Sequence, residues 1–551
     1  MAAASVAAAL LLFLGSCGGD GDSEAPTNSP SETATPTPAA TDISPTGHPG
    51  NGFVLGDVVD LASEPPTMTV LGKAEMDLVS GSRNVALGDF NDDSEPDLLF
   101  GAPSADGADG DRPDSGEAYV VFGPLEGELD LSNDDPDITI IGAADGDRLG
   151  ITVFAGDLND DGIDEIMVGA QNPSVPFPGL DARTQQGRLY IFYGTDELND
   201  ISVLDLADEE FDVSVTGAEG FSHLSTAIDI GDINGDGDID ILVSGPFAGR
   251  ELGTGPGGQR TTVGEVYAIF GSDDGPRGEY NIQLGEYDVL FSGEDENGQF
   301  GSDVAVGDFN GDGTDDVVIG AHRSADPNGK PANGAAYVFY GGDDISGRLS
   351  ISDGEQSVTI QGPKAGAALG FPVAAGDLIG DGIDDIIIGA QQEGVTGGNL
   401  ATTGTVRVIF GGDNLPETID LSAVDADLTI PGAGSGLLLP TALAVSDLDG
   451  DGIDDLVFTT ALSGAARGRS SAGLAYTIIG SGSLPSSIDI TSDAAPPPLI
   501  GPAPEARLGS ALVIGEVATD KIGLALVAPG ASAEEDGPRV GAIYIVRVDR
   551  E

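Results

Sequence analysis

A nine-residue acidic loop returns along this chain at nearly constant intervals, and that repetition limits the possible folds more than any other feature. Copies begin at Asp89, Asp157, Asp232, Asp308, Asp377 and Asp447, with a worn copy at Glu516, so successive copies lie 68 to 76 residues apart. A fixed period means like units that bury their faces only against neighbours. Seven such units occupy residues 57–551 and leave no length for a second domain. Each unit holds four strand-like pieces. In the third they are 224–230 (LSTAIDI), 241–243 (ILV) after the acidic loop, 264–271 (GEVYAIFG) after a long Gly-rich loop, and 289–293 (VLFSG). Short runs rich in Val, Ile, Tyr and Phe between Gly, Asp and Pro are the strand signal. The second piece is apolar without alternation, as in LLF from Leu98, IMV from Ile166, VVI from Val317 and III from Ile386. That pattern belongs to a strand covered on both faces.

The expected fold is therefore all-β, a seven-bladed β-propeller of four-stranded antiparallel blades stacked around an axis. The phase of the repeat says how the ring closes. A piece ending in Gly (Gly72, Gly142, Gly217, Gly293, Gly362, Gly432, Gly501) precedes each acidic loop, and the Tyr-containing strand 541–548 (GAIYIVRV) comes last. The propeller thus opens on a fourth strand and ends on a third. Pairing of 67–71 with that last strand closes the ring and satisfies both edges of the final blade.

In each acidic loop, side-chain oxygens at positions 1, 3, 5 and 9, a backbone carbonyl at 7, and Gly at 6 make a hard-oxygen cage suited to calcium. The candidate ligands are Asp89, Asn91, Asp93 and Asp97 with the carbonyl of Glu95 in the first loop, and Asp157, Asn159, Asp161 and Glu165 with Ile163 in the second. The third and fourth offer Asp232, Asn234, Asp236 and Asp240 with Asp238, then Asp308, Asn310, Asp312 and Asp316 with Thr314. The fifth has Asp377, Asp381 and Asp385 with Ile383 but loses its position-3 ligand to Ile379, and the sixth has Asp447, Asp449, Asp451 and Asp455 with Ile453. An EF-hand is excluded, because its Glu at position 12 is here an apolar residue such as Phe100, Val243 or Ile319. Up to six Ca²⁺ are expected. Nineteen ligand carboxylates crowd these six turns, so cation binding should be coupled to stability. Single acidic turns often only solvate a hairpin, but six in phase with one period argue for a ligand role. The loop at Glu516 (EVATDKIGL) keeps Glu516 and Asp520 but carries Lys521 and Leu524, and is expected to be empty.

The remaining composition excludes some partners. With 93 Asp+Glu against 21 Lys+Arg the formal charge is −72, which makes nucleic acid or anionic lipid an unfavourable ligand. So large a charge suggests a salt-rich habitat whose ions screen the surface. One Cys and three His (His48, His223, His322) leave little for zinc or other transition metals. The Cys is placed where chemistry could use it. Residues 6–14 (VAAALLLFL) are too short to span a bilayer and read as the core of a signal peptide covering 1–16. Leu14-Gly15-Ser16-Cys17 resembles a bacterial lipobox, which implies diacylglycerol on Cys17, although Met1 to Val6 holds no Lys or Arg. Residues 17–56 then form a Gly-, Ser-, Thr- and Pro-rich stretch, expected as a disordered tether reaching about 35 Å as a flexible coil. The chain is expected to be exported and held at the cell envelope or cell surface through Cys17, with plain secretion as the alternative.

These residues resemble the FG-GAP repeats of the integrin α-subunit propeller. Phe300-Gly301, the loop from Asp308, and Gly320-Ala321 follow the order that names the repeat, and Gly101-Ala102-Pro103 matches its second half. The resemblance implies a seven-bladed propeller with calcium in the hairpins of one face and partner proteins on the other. Strand parity separates the same two faces, placing the acidic loops opposite the long loops 102–115, 171–186, 245–263, 322–333, 391–403 and 461–472. Seven arginines lie on that rim: Arg112, Arg183, Arg250, Arg260, Arg323, Arg467 and Arg469. They are either a docking surface or the local balance to nearby Asp. No G-x-S-x-G, H-E-x-x-H or Walker A sequence is present, and the G-x-G-x-x-G spelling at 253–258 lies in a Pro-containing loop with no helix to follow. The expectation is a non-enzymatic adhesion or protein-interaction module whose ligand is a protein or surface glycan. The alternatives are a secreted propeller associated with a phospholipase-like hydrolase and a structural surface-layer protein.

Overall fold

The strands assemble into seven separate sheets, one per repeat. The computed structural model describes residues 52–54, 58–73, 83–107, 110–173, 185–208, 210–218, 222–249, 263–325, 333–394, 403–432, 438–462, 468–492, 495–519, 521–532 and 537–549. The first blade shows the plan. Val85–Gly88, Asp97–Ala102, Glu117–Val121 and Ile138–Ile141 run antiparallel in chain order, with Leu98 opposite both Leu87 and Val121. First strands of successive blades touch all the way round, and Leu512–Ala518 of the seventh meets Val85–Gly88 of the first. The ring is closed.

Second strands are buried along their full length in the first six blades. The reason lies in their two faces. Leu98 and Phe100 pack against Ala525 and Val527 of the seventh blade, while Leu99 packs against Ile166 and Val168 of the second. A strand sandwiched between two neighbours needs apolar residues at every position, which is why its sequence does not alternate.

Blades are wider than the expected four strands. In the first, Val203–Asp205, from the second blade's connection between its third and fourth strands, pairs parallel with Ile138–Ile141. Gly278–Asn281, Gly347–Ser350, Thr418–Asp420, Val59–Asp60 and Gly127–Asp130 do the same for blades two, three, four, six and seven. These fifth strands are short and mostly half-exposed, so they lack the apolar run that marks a strand in sequence. Blade five keeps four. There Thr429 N–H donates to Ser486 and Ile488 N–H to Thr429, but the next donor would be Pro431, which has no N–H.

Closure follows the expected pairing: Met68–Leu71 lies antiparallel to the last strand from Ala542 to Ile545. The rest of that strand is used as well. Gly52–Val54, three residues assigned by composition to the tether, pair parallel with Arg547, Val548 and Asp549. Residues 1–51, with Cys17 and the signal sequence, lie outside the described residues.

Arg83 ties the ring across its middle. From the start of blade one its guanidinium donates to the carbonyls of Ile228 (2.8 Å, blade three) and Val304 (2.7 Å, blade four) and pairs with Asp303 at 2.7 Å. Asp303 is buried and also accepts from Val373 N–H of blade five. Asp229, deep in the ring yet partly wetted, accepts from Val306 N–H. Burial pushes the Asp229 carboxyl up to about 6 while Arg83 opposes the rise, and Asp303 is raised in the same way.

Two predictions follow from this arrangement. Arg83→Ala should cost about 3 kcal/mol in urea unfolding at pH 8, because it leaves Asp303 buried without its cation. At pH 5 the loss should shrink, since an acid with a raised pKa then keeps its proton and has no charge to compensate. A chain starting after residue 72 should bare the edge of Ala542–Asp549 and associate or aggregate, as size-exclusion chromatography would report.

Candidate metal centre

The six acidic loops connect first to second strands and therefore lie on one face, each fixed by its own backbone. At position 1 the carboxylate accepts from the N–H of position 6: Ser94 to Asp89 (2.9 Å), Gly162 to Asp157 (2.8 Å), Gly237 to Asp232 (2.9 Å), Gly313 to Asp308 (2.8 Å), Gly382 to Asp377 (2.7 Å) and Gly452 to Asp447 (3.0 Å). At position 5 one oxygen accepts from the N–H of position 7, as in Thr314 to Asp312 (3.0 Å) and Ile453 to Asp451 (2.9 Å). Two residues per loop take positive φ. Position 6 was legible as Gly, with Ser94 at 63° as the exception, but position 4 has the same requirement, met by Gly235, Gly311, Gly380 and Gly450 or by Asp92 (58°) and Asp160 (55°).

Position 9 begins the second strand and is wholly enclosed. Asp97, Glu165, Asp240, Asp316, Asp385 and Asp455 are at most 1% exposed. One oxygen accepts from the N–H of position 2, such as Phe90 to Asp97 (2.9 Å) and Phe309 to Asp316 (3.0 Å). In five loops the other accepts from a glycine N–H after the third strand: Gly123, Gly271, Gly341, Gly411 and Gly480. Burial raises these acids, to about 7 for Asp97, Asp240, Asp316 and Asp385, about 8 for Glu165 and about 6 for Asp455, with neighbouring loop carboxylates adding to the rise. Position 2 is the loop's apolar footing, and Phe90, Leu158, Ile233, Phe309, Leu378 and Leu448 are all buried.

The donor set fits a hard divalent cation such as calcium. Asp447, Asp449 and Asp455 each bring an oxygen within 4.8 Å of the others. In the first loop the Asn91 amide nitrogen donates to Asp93 and Asn199, which leaves its buried oxygen with no hydrogen-bond partner at the position-3 ligand site. Oxygen donors alone, with no imidazole or thiolate among them, select calcium-like over zinc-like ions. The worn seventh copy differs. Its hairpin ladder continues past Glu516↔Ile522 to Ala518↔Lys521, so the turn is too tight for a nine-residue cage; Asp520 lies outside the described residues.

A further link was missed in the sequence reading. At position 8, Asp164, Asp315, Asp384 and Asp454 each accept from the position-1 N–H of the preceding blade's loop, at Asp89 (2.9 Å), Asp232 (2.9 Å), Asp308 (3.0 Å) and Asp377 (3.0 Å). The signal was present in the sequence, since Gly stands just before position 1 wherever the next blade has Asp at position 8. A Cβ on Gly88, Gly231, Gly307 or Gly376 would come within 2.6–2.8 Å of that carboxylate. Where the next blade offers Gly523 instead, the position holds Ser446.

The rim arginines divide. Arg112 pairs with Asp205 and donates to the Gly142 carbonyl, and Arg469 pairs with Asp60. Both acids sit on fifth strands, so these two cations hold blade edges rather than stand ready for a ligand. Arg183, Arg250, Arg260 and Arg467, and the 253–258 spelling, lie outside the described residues. His223 lies by Phe247 and His322 by Phe371, and burial lowers both imidazoles, His322 to about 3.

The FG-GAP repeat family matches residues 83–121, 300–339 and 439–478, which hold the first, fourth and sixth acidic loops. This is an integrin-α-like FG-GAP repeat protein. The naming residues of the repeat are explained by contact: Gly301 N–H donates to the Gly320 carbonyl, and a Cβ on Gly320 would meet the Gly370 carbonyl of the next blade at 2.0 Å. The chain is 32% identical over 225 residues to phosphatidylinositol-glycan-specific phospholipase D of Bos taurus, covering 41% of this chain and 24% of that protein. It is 30% identical over 257 residues to integrin alpha pat-2 of Caenorhabditis briggsae (45% and 18%) and 29% over 191 residues to integrin alpha-5 of Xenopus laevis (34% and 16%). The chain spans about a quarter of the length of the curated relatives it matches, or less. Among the described residues no helix is long and apolar enough to cross a membrane.

In chelator, the raised position-9 acids bind protons more tightly in the folded state than in the unfolded one. Stability of this FG-GAP propeller should then fall as pH rises from about 4 to 7. Saturating calcium should flatten or reverse that slope in thermal melts.

Proposed function

We propose that this protein is a calcium-stabilised interaction module, exported and anchored by lipid at Cys17, that binds a protein or surface glycan on the face opposite its acidic loops. The observation that carries this reading is the backbone-fixed form shared by the six loops on one face. It leaves the other face to the long variable connections, where a rigid scaffold commonly displays binding residues. Asp89, Asn91, Asp93 and Asp97, with their counterparts in the other loops, would hold the ion, and the ion would supply the positive charge that the crowded carboxylates lack. Each filled loop stabilises the ring by about 2.7 kcal/mol at free calcium a hundredfold above its Kd.

A second reading, an accessory propeller of a phospholipid-cleaving system, draws on the similarity to the phospholipase D relatives. Activity against phosphatidylinositol-glycan substrates, measured beside a pull-down on a surface extract, separates the two. The interaction reading expects calcium-dependent capture and no hydrolysis. Asp236→Ala and Asp312→Ala should each remove one bound calcium in equilibrium dialysis and part of the calcium-dependent rise in Tm, while leaving Tm in chelator nearly unchanged.

A further inference from the structure

The acidic loops are not independent of one another. At the junction between blades one and two, Asp89 N–H donates to the Asp164 carboxylate, Asp164 N–H returns to the Asp89 carbonyl, and Thr195 N–H donates to the Phe90 carbonyl. The same three bonds join blades three and four through Asp232, Asp315, Ile233 and Gly342. They recur between four and five and between five and six, where Asp384 meets Asp308 and Asp454 meets Asp377. Position 7 adds a lid at three of these junctions, since Thr314 lies over Gly235, Ile383 over Gly311 and Ile453 over Gly380. Between blades two and three position 8 is Ile239, and among the described residues that junction shows none of the three bonds.

Each bond set runs from one loop's candidate ligands to the next. Position 8 lies between the position-7 carbonyl and the position-9 carboxylate of its own loop, and it grips the position-1 residue of the preceding loop at both N–H and C=O. An ion that orders one loop therefore orders the first ligand of the loop before it, which is a coupling free energy between sites.

We propose that the loops take up calcium as two coupled blocks, the first with the second and the third through the sixth, with independent loading across the junction between blades two and three. This rests on the calcium reading above. It gives the fifth loop, short of a ligand at Ile379, support on both sides, because Asp377 is held by Asp454 and Asp384 holds Asp308.

Calcium binding to the full chain, followed by calorimetric titration and equilibrium dialysis, tests the proposal with Asp384→Ala, Asp384→Asn and, as a control for charge alone, the exposed Asp135→Ala. Asp384→Ala should keep the number of bound ions, lose steepness, and raise the calcium needed to fill the fourth and fifth loops about fivefold. Asp384→Asn, which retains an acceptor, should keep the wild-type curve, as should Asp135→Ala. Asp164→Ala reports on the other block and gives a second reading if Asp384→Ala does not fold. An unchanged curve in a folded Asp384→Ala, or an equal loss in Asp135→Ala, overturns the coupling while leaving the calcium reading intact. A wild-type chain that takes up no calcium overturns the calcium reading and the coupling with it.

Discussion

The pairing of Met68–Leu71 with Ala542–Asp549 is the interaction on which the rest depends. A single blade cannot bury both faces of its second strand, so every blade needs a neighbour on each side, and only a closed ring supplies one to all seven. The clasp is reinforced from several directions. Val59–Asp60 reaches back to blade six, Gly127–Asp130 covers the outside of Met68–Leu71, and Gly52–Val54 lies along the tail of the last strand. A chain-end contact thus becomes the most interlocked part of the molecule.

Acidity is handled by placement rather than by pairing with base. The chain has few cations, and among the described residues they pair at blade edges (Arg112, Arg188 with Glu279, Arg469), across the ring (Arg83) or within a blade (Arg407 and Lys364 with Glu393, Arg547 with Asp549). Loop carboxylates turn instead to backbone N–H groups: at position 1 to their own turn, at position 8 to the preceding loop, at position 9 to the strand that follows. Such bonds satisfy oxygens without neutralising them. The residual burial cost appears as the raised position-9 acids.

Most of the fold was legible because its signals are local and repeated. Continuous apolar triplets such as III from Ile386 announced a strand covered on both faces, and the phase of the Gly-ending pieces announced closure. The fifth strands were not legible. Segments such as GELD and GRLS become strands only because a neighbouring blade presents an open edge, and nothing in their own composition requires it. The candidate ligands were read by spacing alone, whereas the Gly-before-Asp pairing between adjacent repeats needed contacts to be seen.

By itself, then, the sequence determined the repeat, the strand order, the ring closure and the oxygen-rich loops, since each depends on residue type and period within one unit. Tertiary structure alone decided what happens between units: which blade lacks its outer strand because Pro431 has no N–H to give, which arginines are occupied, and which loops are tied together. Contacts between repeats join residues some seventy positions apart, and a single amide or carboxylate can make or break them without leaving any periodic trace in the chain.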